Sequence, residues 1–286
     1  MPPNPPPDHD PTERAGSTPA LTNPHTNPST NPHTNPNTNP HTNPRTNPHT
    51  NPHTNLAARL REGTAAAHRA AERMALIRGL LRGLTEPTAY AALLRGLLAP
   101  YSAMEAALER HRADPLIAPF VLPQLWRRGA LLADLAAIDP AHADAEALVE
   151  RSPASAAYAA RIEQLAARAP VMLVAHAYVR YLGDLAGGRI LGKMIGRALH
   201  LTPSAGLAFF EFPEIPDPAA FCADYRRRLD QLPIDPPTAA RLIDEANHAF
   251  RLNIALFAEI EGSALRGALR LALGRRPQPP PLQAGP

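Results

Sequence analysis

The sequence predicts an all-α fold, and three observations carry that prediction. Apolar residues recur at helical spacing through a central stretch rich in Ala and Leu, while aromatic residues make up only 5% of the chain. No segment alternates apolar and polar residues convincingly; the nearest strand candidate, the FFEFP run from Phe209, is too short. Proline is concentrated at the ends. Of 35 prolines in 286 residues, 15 lie in residues 1–55 and five in residues 275–286, which leaves about 219 residues for a single sizeable core.

The elements follow in order. Residues 22–53 repeat T-N-P-x, with His25, His33, His41, His49 and His53 at the variable position. Proline at every fourth residue precludes a helix or a sheet ladder and little is there to bury, so residues 1–55 read as a disordered leader. Its imidazoles suit loose transition-metal binding and equally a solvated low-complexity tail. Asn55 is placed to cap a helix from Leu56 to about Arg73, and Met74 to Leu84 reads as a short continuation. Thr85 is the expected cap of a long helix to about His111, with Glu86 and Pro87 in its first turn and a bend at Pro100. Further helices are expected over Leu122–Ile138, from Pro153 to before Pro170, and over Val171–His200, the last interrupted by Gly183, Gly187 and Gly188. Asp217–Leu232 and Pro237 to about Glu261 complete residues 56–261 as one domain of seven to nine helices. Residues 262–286 read as an extension, partly helical and then a disordered Pro-rich tail.

The formal charge is +3, and without the leader the body carries 27 basic against 23 acidic residues. Lys193 is the only lysine, so nearly every cation is a guanidinium. Such an excess suits an anionic ligand or an acidic partner, and lacks the basic stripes and stacking aromatics of a nucleic-acid groove. One cysteine, Cys222, leaves no internal disulfide framework and suits a reducing compartment. No apolar run approaches the roughly 18–20 residues of a membrane span, and no signal-peptide core is visible, so the expectation is a soluble cytoplasmic protein.

Three features carry chemistry. His68 precedes Glu72 by one helical turn, so the carboxylate shares a face with the imidazole. Gly183-Asp184-Leu185-Ala186-Gly187-Gly188 places three glycines inside an apolar helix, each disfavoured by about 1 kcal/mol against alanine. Bare backbone at i and i+4 permits either tight helix packing or close approach of a flat ligand, and Asp184 beside it needs a polar partner. Arg61, Tyr178, Arg180, Tyr225, Arg226, Arg227 and Arg228 supply cations and phenols that suit an acidic ligand if they converge. An iron porphyrin joins the three, since it needs an axial base, a flat slot and cations for its propionates.

The segments LREGTAAAHRAAE, LLAPYSAMEAALER, MLVAHAYVRYLGDLAGGRIL, GLAFFEFP and FRLNIALF closely resemble, in order and spacing, the heme oxygenase family. The similarity runs from about Leu56 to Glu261, roughly 72% of the chain, and HAYVRYLGDLAGG is its most specific part. The resemblance implies a heme sandwiched between a proximal and a distal helix. On it, His68 is the axial iron ligand with Glu72 near it, and Gly183 and Gly187 let distal backbone lie against the heme. Asp184 anchors ordered water, with Arg180, Tyr101 and Asn253 in the same polar network. Arg61, Tyr178 and Arg226 fall on the propionate side, and Phe250 and Phe257 line the pocket.

The implied activity is oxidative cleavage of heme, as both cofactor and substrate, to biliverdin, CO and ferrous iron. It consumes O₂ and electrons from a protein donor such as a ferredoxin, a flavodoxin or a reductase. One departure stands out: Cys222 occupies a position where the family commonly has a lysine near the propionates, leaving Arg226, with Arg227 as a substitute. Two rival readings remain at this stage. One is a heme carrier or sensor without turnover, against which the retained Asp184 speaks. The other is a di-iron oxidase built on the E-x-x-H spacing of Glu245 and His248, which occurs once where such sites use a pair.

Overall fold

Proline marks where four of the helices begin. Pro87, Pro153, Pro218 and Pro236 are the first residues of their helices, the position at which a missing N–H forfeits no hydrogen bond. The structure, a computed structural model, describes residues 55–82, 86–139 and 152–272, all within one compact unit. The repeat leader, the Thr85 cap and the Pro-rich tail expected from sequence lie outside the described residues.

Among the described residues the elements are α1 (Leu56–Glu72), α2 (Ala75–Leu81), α3 (Pro87–Arg110), α4 (Arg128–Ile138), α5 (Pro153–Arg168), α6 (Leu173–Gly183), α7 (Arg189–Leu199), α8 (Pro218–Asp230) and α9 (Pro236–Ala272). A π-helical segment, Asp184–Gly188, joins α6 to α7. No strand is present among them; the FFEFP run forms a 3₁₀ turn, Ala208–Phe210. The core packs α3 against α5 and α4, and α9 against α1, α6 and α5.

Three boundaries differ from the sequence reading. Helix α4 starts at Arg128 rather than Leu122, because Leu122 precedes Pro123 and is pushed out of the helical region (φ −123°, ψ 87°). Helix α9 passes through Gly262 to Ala272, since an interior glycine weakens a helix without ending it. Asn55 makes no side-chain cap to α1. Instead Asp230 Oδ1, from the end of α8, accepts from the Ala57 N–H at 2.9 Å.

Three other helix starts also receive a distant carboxylate. Glu261 accepts from Leu76 N–H at the start of α2, Glu259 from Ala154 N–H in α5, and Glu105 from the Arg127 and Arg128 N–H groups at the start of α4. These carboxylates place a negative charge where the helix dipole favours it, and they act beside local caps, Ser152 at α5 and Asp217 at α8.

Pro100 lies inside α3 and withholds the hydrogen bond that the Gly96 carbonyl would receive. The hydroxyl of Ser155, on α5, donates to that carbonyl at 2.7 Å and is itself fully buried. Ser155→Ala is therefore expected to lower the unfolding free energy by about 1–3 kcal/mol, the range for a buried acceptor left unmatched. Urea denaturation measures it, and an unchanged midpoint would show that Gly96 finds another donor.

Candidate functional site

A cavity of about 820 Å³ opens between α1 on one side and the α6–α7 run on the other, with α9 behind. The volume falls within the roughly 300–1,000 Å³ of small-molecule sites. His68 enters from α1 with its side chain 56% exposed, and its Nδ1 lies 3.5 Å from Glu72 Oε1. The Phe250 ring meets the imidazole edge-on at 5.7 Å and fixes its plane. Phe250 and Phe257 lie eight and fifteen residues after Leu242, one of the fully buried α9 residues, and both border the cavity.

On the opposite wall the glycines divide by what surrounds them. A Cβ built on Gly192 would come within 2.7 Å of Phe210, and one on Gly196 within 2.7 Å of Leu207, so these two serve tight packing. A Cβ on Gly183 or Gly187 would meet nothing within 4 Å, and both residues line the cavity. Gly183 has ordinary helical angles (φ −63°, ψ −46°), so its glycine is explained by the missing side chain rather than by backbone freedom. The bare backbone faces open space. The π-helical turn over 184–188 adds a residue to the helix at this point, a distortion frequent at functional sites.

Asp184 is buried behind that bare face. It accepts from the Tyr101 hydroxyl, and Arg180 Nη2 lies 3.6 Å from its other oxygen. Arg180 in turn donates from Nε to Tyr101 Oη at 2.9 Å and from Nη1 to Asn253 Oδ1 at 2.6 Å. Burial raises the Asp184 carboxyl above its ordinary value, opposed by Arg180, the Tyr101 hydrogen bond and Arg127. Burial also opposes the Arg180 cation, but Tyr101, Asp184 and Tyr158 outweigh it and hold Arg180 firmly protonated. Tyr101, fully buried, stands behind Asp184 and is not on the cavity wall.

Arg61, Tyr178 and Arg226 converge as the sequence suggested. All three border the cavity, and Tyr178, raised by burial, feels Thr64 and both guanidiniums in the lowering direction. Cys222 is buried and does not line the cavity. Arg227 does not replace a cavity-side cation: it points outward at 65% exposure and pairs with Asp224 at 2.8 Å. Tyr225 and Arg228 also lie off the wall, Arg228 bound to Asp224 and the Pro119 carbonyl.

Sequence reasoning missed the continuation of the polar network. His176 is fully buried, with its ring nitrogens 3.0 Å from Glu245 Oε1 and 3.4 Å from Tyr158 Oη. Glu245 also takes a two-point contact from Arg161, at 3.0 and 2.5 Å. Tyr158 is raised by burial, with Arg180 and then Asn253 acting in the lowering direction. A seam of polar groups thus forms from two stretches, Arg161–Glu245–His176–Tyr158 and Asn253–Arg180–Asp184, which come together where Tyr158 and Asn253 interact. The signal was present: His176, Arg180 and Asp184 are spaced i, i+4, i+8, as are Glu245 and Asn253 by eight. The E-x-x-H carboxylate is therefore engaged with His176 and Arg161, and its partner His248 borders a different groove.

Such a site belongs to an all-helical protein that binds a flat ligand between two helices. The heme oxygenase family model matches residues 54–259, and the chain belongs to that family. A heme oxygenase 1 from Nostoc is 40% identical over 181 residues, covering 63% of this chain and 75% of the relative. The crystal structure of heme oxygenase-1 from Synechocystis in complex with heme superposes with a TM-score of 0.71 at 40% identity, over 77% of this chain and 98% of that one. The heme oxygenase of Leptospira interrogans gives 0.68 at 39% identity, over 71% and 98%.

Two outcomes are expected from this geometry. Gly187→Ala gains about 1 kcal/mol of stability in the ligand-free protein, because the new methyl meets nothing and helix propensity improves. Gly192→Ala loses about 1–3 kcal/mol through overlap with Phe210. Thermal unfolding of both variants reads the contrast, and equal effects would contradict it. Glu245 is resisted by burial, but His176 and Arg161 hold its carboxyl at about 2, below the ordinary 4.5. Its stabilisation is complete above about pH 4.5 and disappears as the pH falls through about 2. In Glu245→Gln the acid-side slope of stability against pH flattens in that window; an unchanged slope would mean the carboxylate is not so held.

Proposed function

We propose that this protein is a heme-degrading monooxygenase that opens heme with O₂ and reducing equivalents to biliverdin, CO and ferrous iron. The observation that carries the reading is the pairing of an accessible imidazole, His68, with bare helix backbone at Gly183 and Gly187 across one cavity. A flat macrocycle fits that pair, because the missing side chains on the distal wall leave room for a plane and His68 offers one donor nitrogen. When bound, heme supplies both the iron that activates O₂ and the porphyrin edge that is oxidised.

The chain's own groups divide the remaining work. His68 would ligate the iron through an imidazole nitrogen, with the Glu72 carboxylate beside the ring one turn along the helix. Arg61 and Arg226, with Tyr178, would receive the propionates, where planar guanidinium forks match carboxylates. Gly183 and Gly187 would let helix backbone approach a bound macrocycle. Asp184 is pinned by Tyr101 and Arg180, so it is suited to orient water toward the reacting centre rather than to transfer its own proton directly. Arg180 and Asn253 hold that carboxylate in place.

A carrier or sensor needs the proximal imidazole and the slot but gains nothing from a buried distal carboxylate, whose ionised form is costly to keep away from water. An acidic electron donor, a ferredoxin, a flavodoxin or the docking face of a reductase, matches the arginine-rich rim. No helix of the described residues is long and apolar enough to cross a membrane. With a lone cysteine, we place the protein in the reducing cytoplasm.

Incubation with hemin and a reducing system is expected to yield biliverdin, identified by chromatography. Asp184→Asn should retain hemin binding while biliverdin yield falls about 10-fold or more, the scale of a lost acid–base contribution. Unchanged yield in that variant would remove the water-orienting role, and tight hemin binding without any bilin would favour the carrier reading.

A further inference from the structure

At the outer end of the polar seam the surface folds into a second groove of about 390 Å³ between α5 and α9, sharing no lining residue with the larger cavity. Four guanidiniums border it, from Arg161, Arg168, Arg241 and Arg251, against the carboxylates of Asp244 and Glu245. We propose that this groove is a binding site for a compact polyvalent oxyanion, of phosphate or polycarboxylate type.

The cations are not neutralised where they stand. Both Glu245 oxygens are already used, one by His176 and Arg161 and the other by Arg161. Among the described residues Arg168 makes no hydrogen bond or ion pair, Arg241 interacts with Asp235 only through space, and Arg251 meets only His248 Nδ1, at 3.4 Å. Asp244 is thus the one uncommitted carboxylate among three uncommitted guanidiniums in a single concavity.

Arg161 adds a rigid wall. Its Nε and Nη2 bind Glu245 and its Nη1 donates to Gln164 Oε1 at 2.5 Å, so its position costs a ligand little further ordering. The 3₁₀ turn Pro170–Met172 that leads into α6 starts at the same groove, where Ala169 and Met172 line it. A monovalent anion would engage one guanidinium fork; a ligand with several charged oxygens engages two or three at once, which is what the spread of Arg168, Arg241 and Arg251 around the groove offers.

The test is calorimetric titration of the full chain with pyrophosphate and, separately, with citrate, each at ionic strength held constant with chloride. Saturable one-site binding of either supports the site, and the tighter of the two names the class. Arg168→Gln combined with Arg241→Gln, both on exposed side chains, is expected to weaken binding about tenfold or more. Arg61→Gln combined with Arg226→Gln, at the larger cavity, should leave it unchanged. Absence of saturable heat with both anions overturns the proposal, as does binding that survives the groove variant or is lost in the cavity variant instead. Circular dichroism and hemin uptake by the groove variant verify that it is folded, so a lost anion site and a failed heme reading are told apart.

Discussion

Helix α9 is the strut on which the site depends. Two helices with apolar faces must stand apart by the thickness of a flat molecule, and hydrophobic contact drives them together. What holds them apart is their separate attachment to α9. Helix α1 approaches it so closely that a Cβ on Gly63 would fall 2.5 Å from Ile243, and Asn247 donates to the Gly63 carbonyl at 3.0 Å. The α6 wall is tied to the same helix through Arg180 and Asn253, and through His176 and Glu245. Between those two lines of attachment, Phe250 and Phe257 close the back of the slot.

The second constraint is electrostatic. A buried carboxylate, a buried guanidinium and several phenols share one interior, where each unpaired member would be costly. Most of the group satisfies itself mutually, Asp184 with Tyr101, Arg180 with Tyr101 and Asn253, Glu245 with His176 and Arg161, while the neighbouring Tyr181 hydroxyl has no hydrogen-bond partner among the described residues. The result is a distal wall whose polar side is rigid and whose cavity side is bare backbone. Rigidity of that kind supplies the oriented groups that oxygen chemistry requires without placing a strong acid against the reacting atoms.

Much of this was legible in the residues. Proline positions gave helix starts, the Gly183–Gly188 cluster marked one wall of the cavity, and His68 with Glu72 one turn later marked the other. The remote caps were not legible, because Asp230, Glu259 and Glu261 act on helices 105 to 185 residues away. Nor was the difference among glycines: Gly187 and Gly192 look alike in the chain, and only the position of Phe210 separates a glycine for packing from one for a ligand. Arg227 illustrates the opposite failure, a residue of the right type one position from Arg226 that a helix turns about 100° away, toward Asp224 and solvent.

The central claim is that the imidazole of His68 binds iron across the slot from Gly183 and Gly187. Resonance Raman spectroscopy of the reduced, hemin-loaded protein tests it most directly. The account predicts an iron–histidine stretching band in the native chain, its loss in His68→Ala, and its return when free imidazole is added to that variant. A band that persists in His68→Ala without added imidazole would assign the iron to another side chain and contradict the arrangement described.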